Sequence, residues 1–207
     1  KENIIKMIYN LETARTDYFH IDVMDGEFVE SNTVDKMLEY CDYLTNVTNI
    51  PLDIHFMVKD IRKYLDLFLP YNPNIITIHY EAVDSIEELE KLVKYIQSNG
   101  CKVGISIKPD TEIAEIYNIL EKVHLVLIMT VEPGKGGQDL IEKTIKKIED
   151  ISKYVKDKNL DVVIEADGGI NLNNVDNVKN AGCEIIVSGT AITKAENYKE
   201  GKEKMKM

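Results

Sequence analysis

The sequence has no tryptophan, five prolines and three cysteines in 207 residues. Cys41, Cys101 and Cys183 stand far apart and form no CxxC pair. That excludes a disulfide framework or a zinc knuckle and reads as reduced thiols. No apolar run reaches the roughly 18 residues that span a bilayer, so no membrane partner is expected. No basic segment followed by an apolar one marks a secretory leader, and a cytoplasmic protein is expected. The chain opens on Lys1, so its natural start is expected to lie upstream. Positive charge is also scarce, with a net charge of −11. A polyanionic nucleic acid needs a basic surface and is not an expected partner. A small anionic substrate stays open, because backbone amides at helix N-termini hold phosphate without Lys or Arg. No Pro/Gly/Ser linker or composition break divides the chain, so residues 1–207 read as a single domain.

Hydrophobic residues make up 44 % of the chain, enough for a real core. β-rich runs recur at Tyr18–Val23, Leu52–Met57, Ile75–His79, Lys102–Ile107, His124–Val131, Asp161–Ala166 and Glu184–Val187. Between them lie amphipathic stretches. Ser85–Gln97 carries Ile86, Leu89, Leu92, Val93 and Ile96 at helical spacing, and Leu140–Lys156 carries Ile141, Ile145, Ile148, Ile151 and Val155. Another helix is expected from about Glu2 to Leu11. Gly100 and Gly182 stand where helix C-caps should be, each just before a strand. Alternating strand and helix implies a parallel sheet with helices outside. Seven strands are legible where a (β/α)8 TIM barrel needs eight, so the first strand is expected before residue 1. An open seven-stranded sheet is the alternative.

In such barrels the chemistry sits at the C-terminal ends of strands. His20 and Asp22 are two apart and share a face of their strand. His55 lies near the end of the next strand, and Asp167 ends a later one. A lone histidine there reads as a satisfied interior residue. Two imidazoles and two carboxylates at strand ends instead fit a mixed N/O site for Zn²⁺, Fe²⁺, Mn²⁺ or Co²⁺. Inverting a carbon beside a ketone needs an acid/base group on each face and an electrophile for the enediolate, and a metal supplies the second. Gly134-Lys135-Gly136-Gly137, Gly168-Gly169 and Gly189-Thr190 follow successive strands. Glycine turns let backbone N–H groups approach a phosphate, although each alone reads as an ordinary turn. Met24, Met57 and Met129 near strand ends read as core filler, or as an apolar lid over a carbanion-like intermediate.

Together, His20–Gly26, Asp53–Val58, Met129–Gln138 and Glu165–Ile170 resemble the ribulose-phosphate 3-epimerases, in order from about Asp17 to Ile192. The resemblance implies a (β/α)8 barrel interconverting D-ribulose 5-phosphate and D-xylulose 5-phosphate in the pentose phosphate pathway. It implies His20, Asp22, His55 and Asp167 as ligands of one divalent metal, with Asp22 and Asp167 also the acid/base pair and His55 also touching substrate. It assigns Gly134, Gly136, Gly137, Gly168, Gly169, Gly189 and Thr190 to the substrate and phosphate loops, and Met24, Met57 and Met129 to a methionine cap. The sequence departs from the family pattern in four places. Glu30-Ser31-Asn32 stand where Pro-Asn is usual, Lys135 where Phe is common, Lys108 where Asn is usual, and Thr190 where Ser is usual. Lys135 either reaches the phosphate or points to solvent. A six-carbon substrate such as allulose 6-phosphate fits the same chemistry. An orotidine-phosphate decarboxylase would need a DxKxxD motif, which is absent. A catalytically silent binding protein would not need the acid pair. Homo-oligomer formation is left open.

Overall fold

A computed structural model describes residues 8, 10–189, 192 and 197–206. Seven strands form one sheet: β1 (Phe19–Met24), β2 (Leu52–Met57), β3 (Ile75–His79), β4 (Lys102–Ile107), β5 (Leu125–Met129), β6 (Val163–Asp167) and β7 (Ile185–Val187). Their spatial order is their chain order and every pairing is parallel. Among the described residues six α-helices lie between or after them: α1 (Val34–Val47), α2 (Ile61–Phe68), α3 (Ile86–Ser98), α4 (Lys143–Asp157), α5 (Val175–Asn180) and α6 (Tyr198–Met205). The expected helix near Glu2–Leu11 falls largely outside the described residues. Among the described residues no helix is long and apolar enough to cross a membrane.

The sheet is curled. In a flat sheet β1 and β6, five strands apart, would stand about 24 Å from each other at ~4.8 Å per strand. Yet His20 on β1 lies 3.8 Å from Glu165 on β6 and 4.0 Å from Asp167. Only closure around a common interior permits that, so the sheet is a (β/α)8-type barrel and not an open sheet. Among the described residues β1 and β7 are its two edges.

Alternation then sorts every strand. Ile21, Val23, Ile54, Phe56, Ile76, Ile78, Val103, Ile105, Val126, Ile128 and Ile164 face out and join the helices in one large core. Leu89, Leu92, Val93 and Ile96 come from α3, and Ile148, Ile151 and Val155 from α4. Facing in, Ile75, Leu125, Leu127, Met129 and Val131 form a smaller apolar cluster. Strands buried on both faces are near-continuous in β-branched residues for this reason.

α3 is capped as its sequence dictates. The Ser85 hydroxyl accepts the Glu88 N–H at 3.2 Å, and Glu87 and Glu88 fill the first turn. α4 starts three residues later than its apolar spacing suggests. In its first turn the N–H groups of Thr144 and Ile145 bond the Ile141 and Glu142 carbonyls, three residues back, and the Ile141 N–H, free of any helical partner, reaches the Thr130 carbonyl beyond β5 at 2.8 Å. Three helices turn into strands by one motif. The N–H groups of Cys101, Leu160 and Cys183 reach back to the carbonyls of Ile96, Val155 and Val178, behind Gly100 (φ +81°), Asn159 (φ +52°) and Gly182 (φ +100°).

Gly100 and Gly182 differ in what surrounds them. A Cβ on Gly100 meets nothing within 4 Å, whereas one on Gly182 would stand 2.2 Å from Ser152 Oγ and 2.7 Å from its Cβ. Gly100→Ala is expected to cost about 1 kcal/mol, the price of a left-handed alanine. Gly182→Ala adds overpacking and is expected to cost at least about 2 kcal/mol. Urea denaturation midpoints of the two variants check this order.

Candidate active site

Inward residues of β1, β2 and β6 converge: His20 near the start of β1, Asp22 and His55 further along β1 and β2, and Asp167 at the end of β6. Parallel register places Asp22 beside His55 and His20 beside Asp53. Asp22 Oδ1 lies 3.1 Å from His55 Nδ1 and 3.3 Å from His20 Nε2. Asp167 Oδ2 lies 3.9 Å from His55 Nδ1 and 4.0 Å from His20 Nε2. His20, Asp22, His55 and Asp167 offer ligand atoms within 4.8 Å of one another. These are the four residues singled out from the sequence.

The arrangement fits a cation. Ligands about 2.1 Å from a tetrahedral ion stand roughly 3.4 Å from each other, close to the spacings here. His20 Nε2 is buried with no hydrogen-bond partner, although it faces two carboxylates. Its other nitrogen, Nδ1, donates to Asp53 Oδ2 at 2.6 Å. A carboxylate on the far nitrogen is what orients an imidazole towards a metal. The donor set suits zinc and its transition-metal neighbours.

The two aspartates sit in different electrostatic settings. Burial works to raise Asp22, but hydrogen bonds and charge from His20 and His55 outweigh it and hold the carboxyl well below the usual range. Burial pushes Asp167 up to about 6, and the charge on Asp22 adds to the rise. Asp22 is also the more open, with 40 % of its side chain exposed at the barrel mouth against 15 % for Asp167. Burial opposes charge on His20, but Asp53 and Asp22 prevail and raise it. Burial and the Asp53 charge push Glu165 well above the usual carboxylate range.

The methionines stand where the strands end. Met24 and Met57 are register partners, each two residues beyond a ligand candidate on the same face, and Met129 is the partner of Asp167. Met57 and Met129 are buried and Met24 is half-buried. Around them the loops are tied together. Asp25 accepts the N–H groups of Glu27, Phe28 and Lys59, which binds the β1 and β2 loops to each other. Ser31, one of the departures from the family pattern, donates its hydroxyl to the Gly134 carbonyl at 2.7 Å. Thr130 donates to the Gly168 carbonyl. Gly168 and Gly169 have no room for a side chain: a Cβ would stand 2.3 Å from Val131 or from the Leu140 nitrogen. Lys135, Gly136 and Gly137 are exposed, and the Lys135 carbonyl accepts from Gln138. Gly189 follows β7, and Thr190 lies outside the described residues.

Sequence reasoning did not single out Asp53, Glu165, His79 or Glu81. The first two were within reach of the period-two rule, since each precedes a chosen residue by two on the same strand. His79 ends β3, and its Nε2 is 3.0 Å from His55 Nε2. Burial pushes His79 down to about 4, so it is neutral at pH 7. Glu81 sits in the turn after β3, where alternation gives no signal.

The raised Asp167 has a consequence for stability. Its pKa is about 6 folded against 3.8 unfolded. Its favourable contribution is therefore full below pH 3.8 and is lost as pH rises to about 6. Asp167→Asn is expected to stabilise the metal-free protein at pH 8, by on the order of 2 kcal/mol. That gain should shrink as pH falls from 6 towards 4. Chemical denaturation of both proteins across pH 4–8, with chelator present, reads the difference.

A profile of the ribulose-phosphate 3 epimerase family matches residues 2–193. The chain is 38 % identical over 190 residues to ribulose-5-phosphate-3-epimerase, chloroplastic, of Arabidopsis thaliana, covering 92 % of this chain and 66 % of that protein. It is 34 % identical over 186 residues to ribulose-phosphate 3-epimerase of Helicobacter pylori J99, covering 90 % and 83 %. A mutant tryptophan synthase alpha-subunit from Pyrococcus furiosus superposes with a TM-score of 0.70 at 11 % identity, over 99 % of this chain and 92 % of that one. The last likeness is one of fold. The sequence relatives and the family profile go further: the chain belongs to the ribulose-phosphate 3-epimerase family.

Proposed function

We propose that this chain is a metal-dependent epimerase that inverts C3 of a ketose phosphate, interconverting D-ribulose 5-phosphate and D-xylulose 5-phosphate. One observation carries the reading. Two aspartates with opposed proton affinities, Asp22 held ionised and Asp167 raised to about 6, meet with two histidines around one point. Groups tuned apart in this way suit an acid and a base working on the same carbon.

In the proposed reaction Asp22 takes the C3 proton on one face of the sugar and Asp167 returns a proton to the other. In the reverse direction they exchange roles. His20, Asp22, His55 and Asp167 would hold a divalent cation (Zn²⁺, Fe²⁺, Mn²⁺ or Co²⁺), which supplies positive charge for the oxygens that become negative as C3 is deprotonated. His55 is assigned a contact with the sugar as well. Met24, Met57 and Met129 limit water around the reacting carbon. The phosphate is assigned to the backbone of Gly134–Gly137, Gly168, Gly169 and Gly189, with Thr190 and Lys135 beside it. Backbone amides suit a chain whose net charge is −11.

A coupled assay on D-ribulose 5-phosphate and allulose 6-phosphate, with and without chelator, tests this. The pentose is expected to react, activity should disappear with the metal, and Asp22→Asn and Asp167→Asn should each lose several orders of magnitude in kcat. Full activity in either variant would refute the two-base assignment. Preference for the hexose would keep the reaction and change the substrate.

A further inference from the structure

Behind the ligand candidate His55 lies a chain of hydrogen bonds whose direction can be read from its outer end. Glu81 Oε1 accepts the backbone N–H of Lys108 at 2.7 Å and the hydroxyl of Thr111. A backbone N–H can only donate, so this oxygen belongs to an acceptor. Glu81 Oε2 stands 2.9 Å from His79 Nδ1. An ionised carboxylate has no proton to give, so His79 donates from Nδ1. A neutral imidazole that donates from Nδ1 has a bare Nε2. That bare nitrogen lies 3.0 Å from His55 Nε2. Two nitrogens at this distance need one proton between them and have no room for two. It must sit on His55. His55 Nδ1 lies 3.1 Å from Asp22 and 3.9 Å from Asp167, so a cation in the cluster would take the place of the proton that Nδ1 shares with Asp22 and meet its lone pair.

We infer that His79 and Glu81 are positioning residues that fix His55 as the Nε2–H tautomer and so present its Nδ1 to a metal ion. The inference rests on the metal reading of the site given above. The chain is held from both sides. Lys147 on α4 donates to the carbonyls of Lys108, Pro109 and Thr111, which pins the loop that carries both donors to Glu81. The Phe28 ring packs against His79 at 4.9 Å, and His79 and His55 are both fully buried, so water cannot exchange for either partner. His20 is served by the shorter version of the same device, its far nitrogen donating to Asp53. Each histidine thus ends on a carboxylate, one directly and one through a second imidazole.

Glu81→Gln reverses this chain with almost no change of shape. If the amide oxygen keeps Lys108 and Thr111, the NH₂ faces His79 Nδ1 and can only donate. His79 must then carry its proton on Nε2, and His55 must move its own to Nδ1, where the metal should bind. If the amide turns over, its NH₂ meets the Lys108 N–H. Either way the tautomer is lost.

The test combines zinc titration of chelator-treated protein against a competing chelator with long-range ¹H–¹⁵N spectra of the zinc-loaded form. The wild-type spectrum should show His55 bound through Nδ1 with its proton on Nε2. Glu81→Gln should bind zinc 10- to 100-fold more weakly, with unchanged circular dichroism. A wild-type His55 that carries its proton on Nδ1 would overturn the inference, and this decides the matter even if the variant does not fold. Wild-type zinc affinity in a folded Glu81→Gln would overturn the relay and leave the metal reading standing. A wild-type protein that binds no zinc through these four residues would overturn both.

Discussion

In the parallel pairing of β1 with β2, Asp22 stands beside His55, His20 beside Asp53, and Met24 beside Met57. Most of the site follows from this register. Strand side chains alternate faces, so a slip of one residue would turn all of β1 over. Ile21 and Val23, now packed beneath the helices, would enter the polar interior, and His20 and Asp22 would enter the apolar layer. Both exchanges are costly, because they bury polar groups without partners and remove apolar ones from theirs. The outer hydrophobic layer therefore enforces the position of the inner polar one.

The interior is divided into two sectors. Towards β3 and β5 it is filled by Ile75, Leu125, Leu127, Met129 and Val131. Towards β1, β2 and β6 it holds His20, Asp22, Asp53, His55, Glu165 and Asp167. Buried polar atoms with no protein hydrogen-bond partner gather on the inward faces, at His20 Nε2, Asp53 Oδ1, Thr77 Oγ1, Ser106 Oγ and Glu165 Oε2. Each such atom costs about 1–3 kcal/mol. Burial works against charge on Glu165, and His20 answers Asp53 and Asp22. The rest of the cost is met by the layer between strands and helices, where Phe56, Phe68, Leu65, Leu89 and Ile96 are fully buried. Stability and chemistry are thus placed on opposite faces of the same strands.

The loops above the barrel are tied to one another by side chains reaching across them, in addition to their own hydrogen bonds. Asp25 joins the β1 and β2 loops, Ser31 joins the β1 loop to Gly134, Thr130 joins the ends of β5 and β6, and Lys147 fastens the β4 loop to α4. Each bond links segments far apart in sequence. The mouth therefore takes shape only once the barrel has closed. Ser31 shows that a departure from the family pattern can carry a tie of its own.

Much of this was legible in the residues themselves. Near-continuous runs rich in β-branched residues located all seven described strands, because a parallel strand buried on both faces has little choice of composition. Gly100 and Gly182 marked helix ends, because a positive φ is a local demand. His20, Asp22, His55 and Asp167 could be named because strand ends are where polar residues have no structural reason to be. Other features depended on the tertiary structure. α4 starts later than its apolar spacing suggests because Thr144 and Ile145 bond the carbonyls three residues back, in a tighter turn, while Ile141 reaches across to Thr130. The third C-cap is Asn159, a residue whose type permits the left-handed conformation without requiring it. Asp53, Glu165 and the His79–Glu81 pair gain their roles only from partners more than 20 residues away, and the opposed proton affinities of Asp22 and Asp167 exist only where burial and both imidazoles act at once. Local conformational preference and hydrophobic period are properties of a short segment and can be read from it. Register across the sheet, hydrogen-bond direction and the field at a carboxylate are sums over distant groups, and only the curling of the sheet around a common interior brings those groups together.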